Sequence, residues 1–250
     1  MSFITNLFGK KTEPVQKLNF STVKTDMHSH LIPGIDDGSK SLEESLLCIR
    51  GLMEMGYSKL ITTPHIMAEG YQNSPETILP GLAKLKQYLS DQKINIDLEA
   101  AGEYYLDENF IARLGNEQML TFGDNYLLFE ISLVFRPGNI PEAIFAINSH
   151  GFKPILAHVE RYPYLHSRDL RWIREVKEMG TFLQMNITSL IGVYGGTARN
   201  IAQRLVDEEM IEFIGTDLHN EGHLAHLSKA LGDPYVQKIL SSDRLMNSTL

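Results

Sequence analysis

Short hydrophobic runs alternate with longer amphipathic runs from Thr25 almost to the end of the chain. The short runs predict seven strands, at residues 24–28, 59–63, 94–101, 126–131, 153–157, 181–185 and 211–215. The longer runs have helical periodicity and predict helices at about residues 42–55, 75–91, 141–150, 170–179, 198–208 and 225–240. Gly56 and Gly180 directly follow two of these runs, where glycine commonly ends a helix.

This alternation predicts parallel βα units. Seven strands are close to the eight of a TIM-like (β/α) barrel, so we favour a barrel over an open sheet, which the pattern leaves as the alternative. No glycine-rich phosphate loop follows the first strand, so an open nucleotide-binding sheet lacks its usual signature. A chain of 250 residues can form one domain. We predict an N-terminal arm over residues 1–23 and a single domain over residues 24–250.

Composition narrows the class of protein. Hydrophobic residues make up 43% and charged residues 22%, and no run approaches the roughly 18 apolar residues that a membrane-spanning helix needs. In residues 1–14 the lysines follow the apolar residues, which is the reverse of a secretory signal. The single cysteine, Cys48, excludes a disulfide framework. We therefore expect a cytoplasmic protein with no membrane insertion.

The formal net charge is −8 and no basic run stands out. Nucleic-acid-binding proteins usually carry a basic surface for the phosphate backbone. We therefore expect no nucleic-acid partner.

Metal-competent side chains fall at the carboxyl ends of nearly all the predicted strands. His28 and His30 lie two positions apart, so they point to the same side of the first strand. The others at strand ends are His65, Glu103, Glu130, His158, Asp217 and His219, and the loop after the first strand adds Asp36 and Asp37. A lone histidine at such a position is more often a hydrogen-bonded core residue. Their joint placement at one end of a barrel instead indicates a metal site.

The ligand types indicate which ions would bind. Imidazole and carboxylate groups without thiolates favour Mn²⁺, Zn²⁺ or Fe²⁺. Five histidines and four carboxylates, with Asp37 counted and Asp36 left out, make nine ligands, which are enough for three ions if one carboxylate bridges two of them. Three divalent ions and four carboxylates leave a charge of about +2, which a phosphate monoester dianion would neutralise.

Five motifs in the chain resemble the polymerase-and-histidinol-phosphatase (PHP) family, and within it the bacterial protein-tyrosine phosphatases of capsule and exopolysaccharide operons. They are residues 26–38 (DMHSHLIPGIDDG), 62–65 (TTPH), 102–105 (GEYY), 157–162 (AHVERY) and 216–220 (TDLHN). The resemblance covers the chain from about residue 24 to the end. It implies a distorted seven-stranded barrel and a metal-dependent phosphoric monoester hydrolase that acts on phosphotyrosine.

The resemblance also implies how the ligands would divide among three ions, with manganese the first choice. One ion would take His28, His30, Asp217 and Glu103, and Glu103 would bridge to a second ion held by Glu130 and His158. A third ion would take Asp37, His65 and His219. Asp36 is an alternative to Asp37, which the motif alignment favours. The implied protein partner is the tyrosine-rich tail of a membrane-associated polysaccharide-assembly kinase.

One position departs from the family pattern. Relatives carry an arginine shortly after the final Asp-x-His motif, whereas residues 220–224 here read NEGHL. Either His223 takes the place of that arginine or phosphate binding depends on Arg161. We predict Arg161, His219 and Asp37 as catalytic residues, and either His219 or His223 as the group that passes a proton to the leaving phenolate.

Other functions compete with this hypothesis. A cysteine phosphatase would need an arginine six positions after Cys48, where the chain has Glu54. A metal amidohydrolase usually has a lysine at the end of the fourth strand, where Glu130 lies. A small-molecule phosphatase of the histidinol-phosphate type and a non-catalytic scaffold of a polysaccharide operon remain as alternatives.

Overall fold

The fold is that of a computed structural model, which describes residues 18–165 and 170–250. Its nine strands in these ranges are β1 Thr25–Asp26, β2 Lys59–Thr62, β3 His65–Ile66, β4 Asp97–Ala100, β5 Glu103–Tyr105, β6 Tyr126–Glu130, β7 Lys153–Leu156, β8 Phe182–Asn186 and β9 Phe213–Gly215. The helices are α1 Leu42–Glu54, α2 Pro75–Asp91, α3 Phe110–Asn116, α4 Ile140–Ser149, α5 Arg171–Glu178, α6 Gly195–Asp207, α7 Gly222–Ala230 and α8 Pro234–Leu240.

All the strand pairs are parallel, and the sheet is curled. The described strands form a three-stranded part of order β1-β2-β4 and a six-stranded part of order β3-β5-β6-β7-β8-β9. Beyond the last residues of β1 and β9, the amide of Asp217 donates to the carbonyl of His28 at 2.8 Å. The amide of His30 donates to the carbonyl of Leu218 at 2.9 Å. These bonds bring together the two segments that follow the first and last strands.

Two short strands lie just beyond the ends of predicted ones. β3 follows the second predicted strand, 59–63, after Pro64, which has no amide hydrogen to donate to a neighbouring strand. β5 follows the third predicted strand, 94–101, after Gly102, where a Cβ would lie 2.5 Å from the Ile66 side chain. Each of the seven predicted strands therefore overlaps an observed one, and β3 and β5 were missed.

Three further differences have local causes. The last predicted helix is two helices, α7 and α8, because Asp233 caps a new helix at Pro234. Helix α3 was not predicted, since its seven residues give too short a periodic pattern. Residues 1–17 of the predicted arm lie outside the described residues. The rest of the arm packs on the core, where Phe20 stacks on Tyr57 with ring centroids 4.7 Å apart.

The inside of the curled sheet is filled by alternate residues of its strands. On β6, Tyr126 and Leu128 point inward, and Leu127 and Phe129 point outward to the helices. Because β6 is buried on both faces, it is apolar up to its final residue, Glu130. This packing closes the bottom of the sheet, and the histidines and acids predicted for the site lie at or beyond the carboxyl ends of the strands.

Asn247 joins the first and last strands at the end of the sheet away from the polar cluster. Its fully buried side-chain amide donates to the carbonyls of Thr25 and Ile214, at 3.0 and 2.7 Å. Its side-chain oxygen accepts from the amide of Ile214 at 3.0 Å. The residue therefore supplies hydrogen bonds that a ladder between β1 and β9 would otherwise make.

We expect Asn247→Ala to lower the free energy of unfolding by about 3 kcal/mol, because three buried backbone groups lose their partner. Urea denaturation followed by circular dichroism measures this change. Ser248→Ala, at the exposed neighbouring position, is the matched control and should be neutral. Wild-type stability in Asn247→Ala would contradict the role given to this side chain.

Candidate metal centre

The structure brings the nine predicted metal ligands to one end of the curled sheet. They follow or end their strands at the carboxyl end, except for Asp37, which comes from the loop after β1. In a parallel sheet these ends converge, so side chains far apart in sequence become neighbours. Three groups of described side chains lie close enough to share an ion: His28, His30 and Glu103; His65, Glu103 and Glu130; and His30, Asp37, His65 and His219.

The first group surrounds one carboxylate oxygen of Glu103. The Nε2 atoms of His28 and His30 lie 3.2 and 3.4 Å from Glu103 Oε2. Both nitrogens also lie 3.5 Å from Asp217 Oδ1. Ligands about 2.0–2.2 Å from one ion lie roughly 3.0–3.5 Å from one another, so these spacings fit a shared cation.

The second group contacts both oxygens of Glu103, since His158 lies near Oε1 and His65 lies near Oε2. His158 Nε2 lies 3.1 Å from Glu103 Oε1 and 3.6 Å from Glu130 Oε2. His65 Nδ1 lies 3.1 Å from Glu103 and 3.0 Å from Glu130. The carboxylate of Glu103 thus lies between two groups, as a bridging ligand would.

The third group lies at the mouth of the site. Asp37 Oδ1 is 3.5 Å from the Nε2 atoms of both His65 and His219. His65 thus presents one ring nitrogen to this group and the other to Glu103 and Glu130. This differs from the expected division, in which His65 served the third ion alone.

Unpartnered atoms provide the test of whether these residues fit metal ions. His28 Nε2, His30 Nε2, His65 Nδ1 and Glu103 Oε2 are buried and have no hydrogen-bond partner among the described residues. Buried polar atoms are almost always hydrogen-bonded, since leaving one unpaired costs about 1–3 kcal/mol. Four such atoms pointing at one another fit a site that binds cations.

Electrostatics favours positive charge at this place. Burial by itself raises the pKa values of Glu103 and Asp217, yet attraction from the neighbouring imidazoles, His28 first, holds both pKa values well below the usual range. Burial lowers the pKa of His30, but the neighbouring carboxylates, Asp217 first, outweigh burial and raise it well above its usual value. The carboxylates therefore keep their negative charge although they are buried.

Asp36 and Asp37 have different surroundings. Asp36 is turned inward, where its Oδ2 lies 2.8 Å from His30 Nδ1 and also accepts from the amide of His65 at 3.2 Å. Asp37 faces His65 and His219 across the open side. This arrangement supports the preference for Asp37 as a ligand and makes Asp36 the group that orients His30.

Two polar residues of β8 were missed by sequence reasoning. Gln184 Oε1 accepts from the amide of His158 at 2.7 Å and lies 3.1 Å from His28 Nδ1. Asn186 Nδ2 donates to Asp217 Oδ2 at 2.7 Å. Both side chains are fully buried on alternate positions of one strand, and that polar alternation in FLQMN was the available signal.

His158 and Asp217 have backbone conformations that L-residues rarely adopt. Their φ angles are +31° and +49°, in the left-handed region. Such positions cost about 1–3 kcal/mol and cluster at functional sites. Two hydrogen bonds hold them in place. The amide of His158 donates to Gln184 Oε1, and the amide of Asp217 donates to the carbonyl of His28.

Arg161 and His223 lie beside the cluster. Arg161 donates to Asp217 Oδ2 at 3.1 Å and places its guanidinium 4.4 Å from the centre of the Tyr194 ring. Its ion-pair partner is thus Asp217, whereas Glu160 turns away to Ser189. His223 accepts from the amide of His219 at 3.4 Å through Nδ1. Both residues line a cavity of about 610 Å³ that opens onto the proposed ligands.

Cys48 does not line the cavity that opens onto the proposed ligands. It is fully buried on α1 within the hydrophobic core. Burial raises the pKa of its thiol to about 12, so it holds its proton at neutral pH.

Comparison with known proteins places the chain in a family. The sequence profile described as capsular polysaccharide synthesis, CpsB/CapC, matches residues 24–245. The chain belongs to the CpsB/CapC family. The similarity that its motifs indicate to the tyrosine phosphatases of capsule operons is therefore confirmed.

Relatives in the CpsB/CapC family align over most of the chain. The tyrosine-protein phosphatase YwqE of Bacillus subtilis is 26% identical over 200 residues, which are 78% of this chain and 77% of YwqE. The tyrosine-protein phosphatase CpsB of Streptococcus pneumoniae is 24% identical over 201 residues, 78% of this chain and 82% of CpsB. CapC of Staphylococcus aureus is 24% identical over 224 residues, 89% of this chain and 84% of CapC.

Solved structures share the fold. A chain from the crystal structures of YwqE and CpsB, described as metal-dependent tyrosine phosphatases, aligns with a TM-score of 0.72 at 24% identity and covers 85% of this chain and 89% of its own. The phosphotriesterase homology protein of Escherichia coli, with phosphate in its active site, aligns with a TM-score of 0.50 at 13% identity. It covers 83% of this chain and 86% of its own.

Among the described residues, no helix is both long and apolar enough to cross a bilayer.

We expect Asp36→Asn and Asp37→Asn to have different effects in this member of the CpsB/CapC family. Asp37→Asn should remove about one ion per chain, because it removes a proposed ligand. Asp36→Asn should keep the number of ions and weaken their binding about 10–100-fold, because it only loosens His30. Elemental analysis and metal titration measure both quantities. The opposite result would assign the ligand role to Asp36.

Proposed function

We propose that the protein is a metal-dependent protein-tyrosine phosphatase. The observation that carries the proposal is the set of buried, unpartnered imidazole and carboxylate atoms around Glu103, in a chain of the CpsB/CapC family. Two aligned relatives are named as tyrosine-protein phosphatases. The substrate is phosphotyrosine on a protein, and the products are tyrosine and inorganic phosphate.

The proposed site takes three divalent ions, with manganese first and iron or zinc as the other choices. Glu103 would contribute to the first and second ion sites, and His65 to the second and third. Ions bound there would supply a water of lowered pKa and would offset charge on the phosphoryl oxygens. The number of carboxylates supports this count, since four of them leave about +2 for a phosphate dianion.

Arg161 is the proposed phosphate-binding residue. Its guanidinium has five N–H groups, and Asp217 and Tyr194 fix its position without using all of them. The remaining N–H groups can bind phosphoryl oxygens in the 610 Å³ cavity, which Arg161 lines. No protein nucleophile is required, because water attacks the phosphorus directly.

His219 and His223 are the candidates for protonating the leaving phenolate. Both line the cavity. His219 also faces Asp37 and is a proposed metal ligand. His223 is not a proposed ligand, so it is the better candidate to carry a proton. Burial, followed by the neighbouring His219, lowers the pKa of His223. The same position makes His223 the proposed replacement for the family arginine.

The wider setting follows from the family. We propose that the substrate is the tyrosine-rich tail of a membrane-associated kinase of polysaccharide assembly, and that the protein acts in the cytoplasm. The region over residues 24–250 is proposed to be one domain, since the family profile spans nearly all of it. Its nine short strands are proposed to correspond to a distorted seven-stranded barrel in which β2 with β3, and β4 with β5, each count as one.

Removal of metal should abolish hydrolysis of a phosphotyrosyl peptide, and added Mn²⁺ should restore it. The test compares phosphate release before and after chelation, with histidinol phosphate and a cyclic amide as competing substrates. Cys48→Ser is the control and should keep the full rate, because its thiol is buried and protonated. Loss of activity in Cys48→Ser would contradict the metal mechanism. Faster turnover of either competing substrate would show that this compound, and not phosphotyrosine, is the preferred substrate.

Arg161→Ala should lower kcat/KM for the peptide roughly 10²-fold, because a donor to the phosphoryl oxygens is lost. Metal content should stay unchanged, which elemental analysis checks in the same sample. Arg199→Ala, on the exposed side of α6, is the matched control. A fall in metal content equal to the fall in rate would show that Arg161 supports Asp217 and does not bind phosphate.

A further inference from the structure

A second cavity adjoins the proposed metal centre. Its volume is about 700 Å³, and it shares three wall residues, Met67, Tyr105 and Ser132, with the cavity that contains the proposed ligands. None of the proposed catalytic residues lines it. An extended peptide rises about 3.3 Å per residue, so positions one to three residues from a bound phosphotyrosine could reach it.

The lining of the second cavity has two parts. Apolar side chains, among them Met67, Leu106, Phe135 and Pro137, form much of its surface. The exposed residues Glu69 and Glu108 add two carboxylates, and no lysine or arginine of residues 18–165 and 170–250 lines the cavity. The cavity therefore offers apolar contact together with negative charge.

The acids of the cavity differ in what they already contact. Asp107 accepts from the amides of Ala68 and Asn109, at 2.7 and 2.9 Å, and lies 4.0 Å from Arg113. The negative charge of Asp107 is therefore already compensated by contacts within the protein. Glu69 and Glu108 have no ion pair with any residue that the structure describes. Their charges remain available to a bound molecule.

The wall formed by the loop after β6 is fixed although its apolar residues are exposed. Phe135, which lines the second cavity, is 64% exposed, and Val134, which lines the cavity beside the proposed ligands, is 87% exposed. The amides of both donate to Ser132 Oγ, at 3.2 and 3.3 Å, and Tyr164 donates to the carbonyl of Ser132. Arg136 lies 3.5 Å above the Trp172 ring. An anchored loop that exposes apolar side chains beside a cavity is typical of a binding surface.

We infer that the second cavity binds a lysine or arginine side chain next to the phosphotyrosine of the substrate. These side chains have a long apolar stem and a cationic end, which match the apolar surface and the two free glutamates. The inference rests on the proposed phosphatase function and adds a preference for basic sequence around the phosphotyrosine. The net charge of −8 acts in the same direction.

The test uses the manganese-loaded protein and a set of phosphotyrosyl peptides. Lysine, alanine or glutamate is placed in turn at each of the three positions before and after the phosphotyrosine. We expect lysine at one or more positions to raise kcat/KM about fivefold over alanine, from two exposed ion pairs. Glutamate there should lower it. The difference should shrink at high salt, because the charges are exposed.

Two double variants assign the preference to the cavity. Glu69→Gln with Glu108→Gln should remove the lysine preference and leave hydrolysis of p-nitrophenyl phosphate unchanged, because that substrate has no flanking residues. Glu54→Gln with Glu178→Gln is the matched control, since these exposed acids end α1 and α5. Helices of βα units end away from the carboxyl ends of the strands. The control should keep the preference.

Several outcomes would overturn the inference. One is equal turnover of the lysine, alanine and glutamate peptides at every position. Another is a lysine preference that survives in the Glu69→Gln, Glu108→Gln protein, or a matching loss of p-nitrophenyl phosphate hydrolysis in that protein. If the wild-type protein with manganese hydrolyses none of these substrates, the proposed function fails and the inference fails with it.

Discussion

The buried carboxylate of Glu103 is the constraint on which the rest of the site depends. Four imidazoles, those of His28, His30, His65 and His158, lie within 3.4 Å of its two oxygens. A buried charge is tolerated only when it is paired. Its position constrains where the strands end, because the proposed ligands reach the same point from the ends of several strands. The curled sheet brings those ends together.

Much of the site could be predicted from the sequence, because it depends on position along strands. His28 and His30 follow from alternation, and Glu130 and His158 from the ends of apolar runs. The roles of Gln184 and Asn186 could not be predicted, since they depend on which strand lies beside which. The same holds for Asp36, whose contact with His30 depends on how the loop folds back. The strands β3 and β5, after Pro64 and Gly102, were missed because two or three residues give too short a pattern.

The proposed chemistry agrees with the distribution of apolar and polar side chains around the site. Beneath the ligands, Leu128, Ile155 and Phe213 fill the inside of the sheet and exclude water from below. Above them the cavity is open to solvent, so a substrate can approach from that side only. At the end of β6 the chain has Glu130 where an amidohydrolase would usually have a lysine. Apolar side chains below the site and charged side chains at its open end suit a dianionic phosphate group carried on a flexible peptide.

Asn247 has a consequence for the order of folding. It bonds to Thr25 across a separation of 222 residues, so the edge of the first strand that faces away from β2 gains this partner only when nearly all of the chain has been synthesised. Contacts between such distant residues make folding slow, because a long loop must close before they form. On the ribosome, the early βα units would therefore wait with one edge unpaired. Chaperones that shield an open sheet edge would then matter more for the yield of this protein than its final stability suggests.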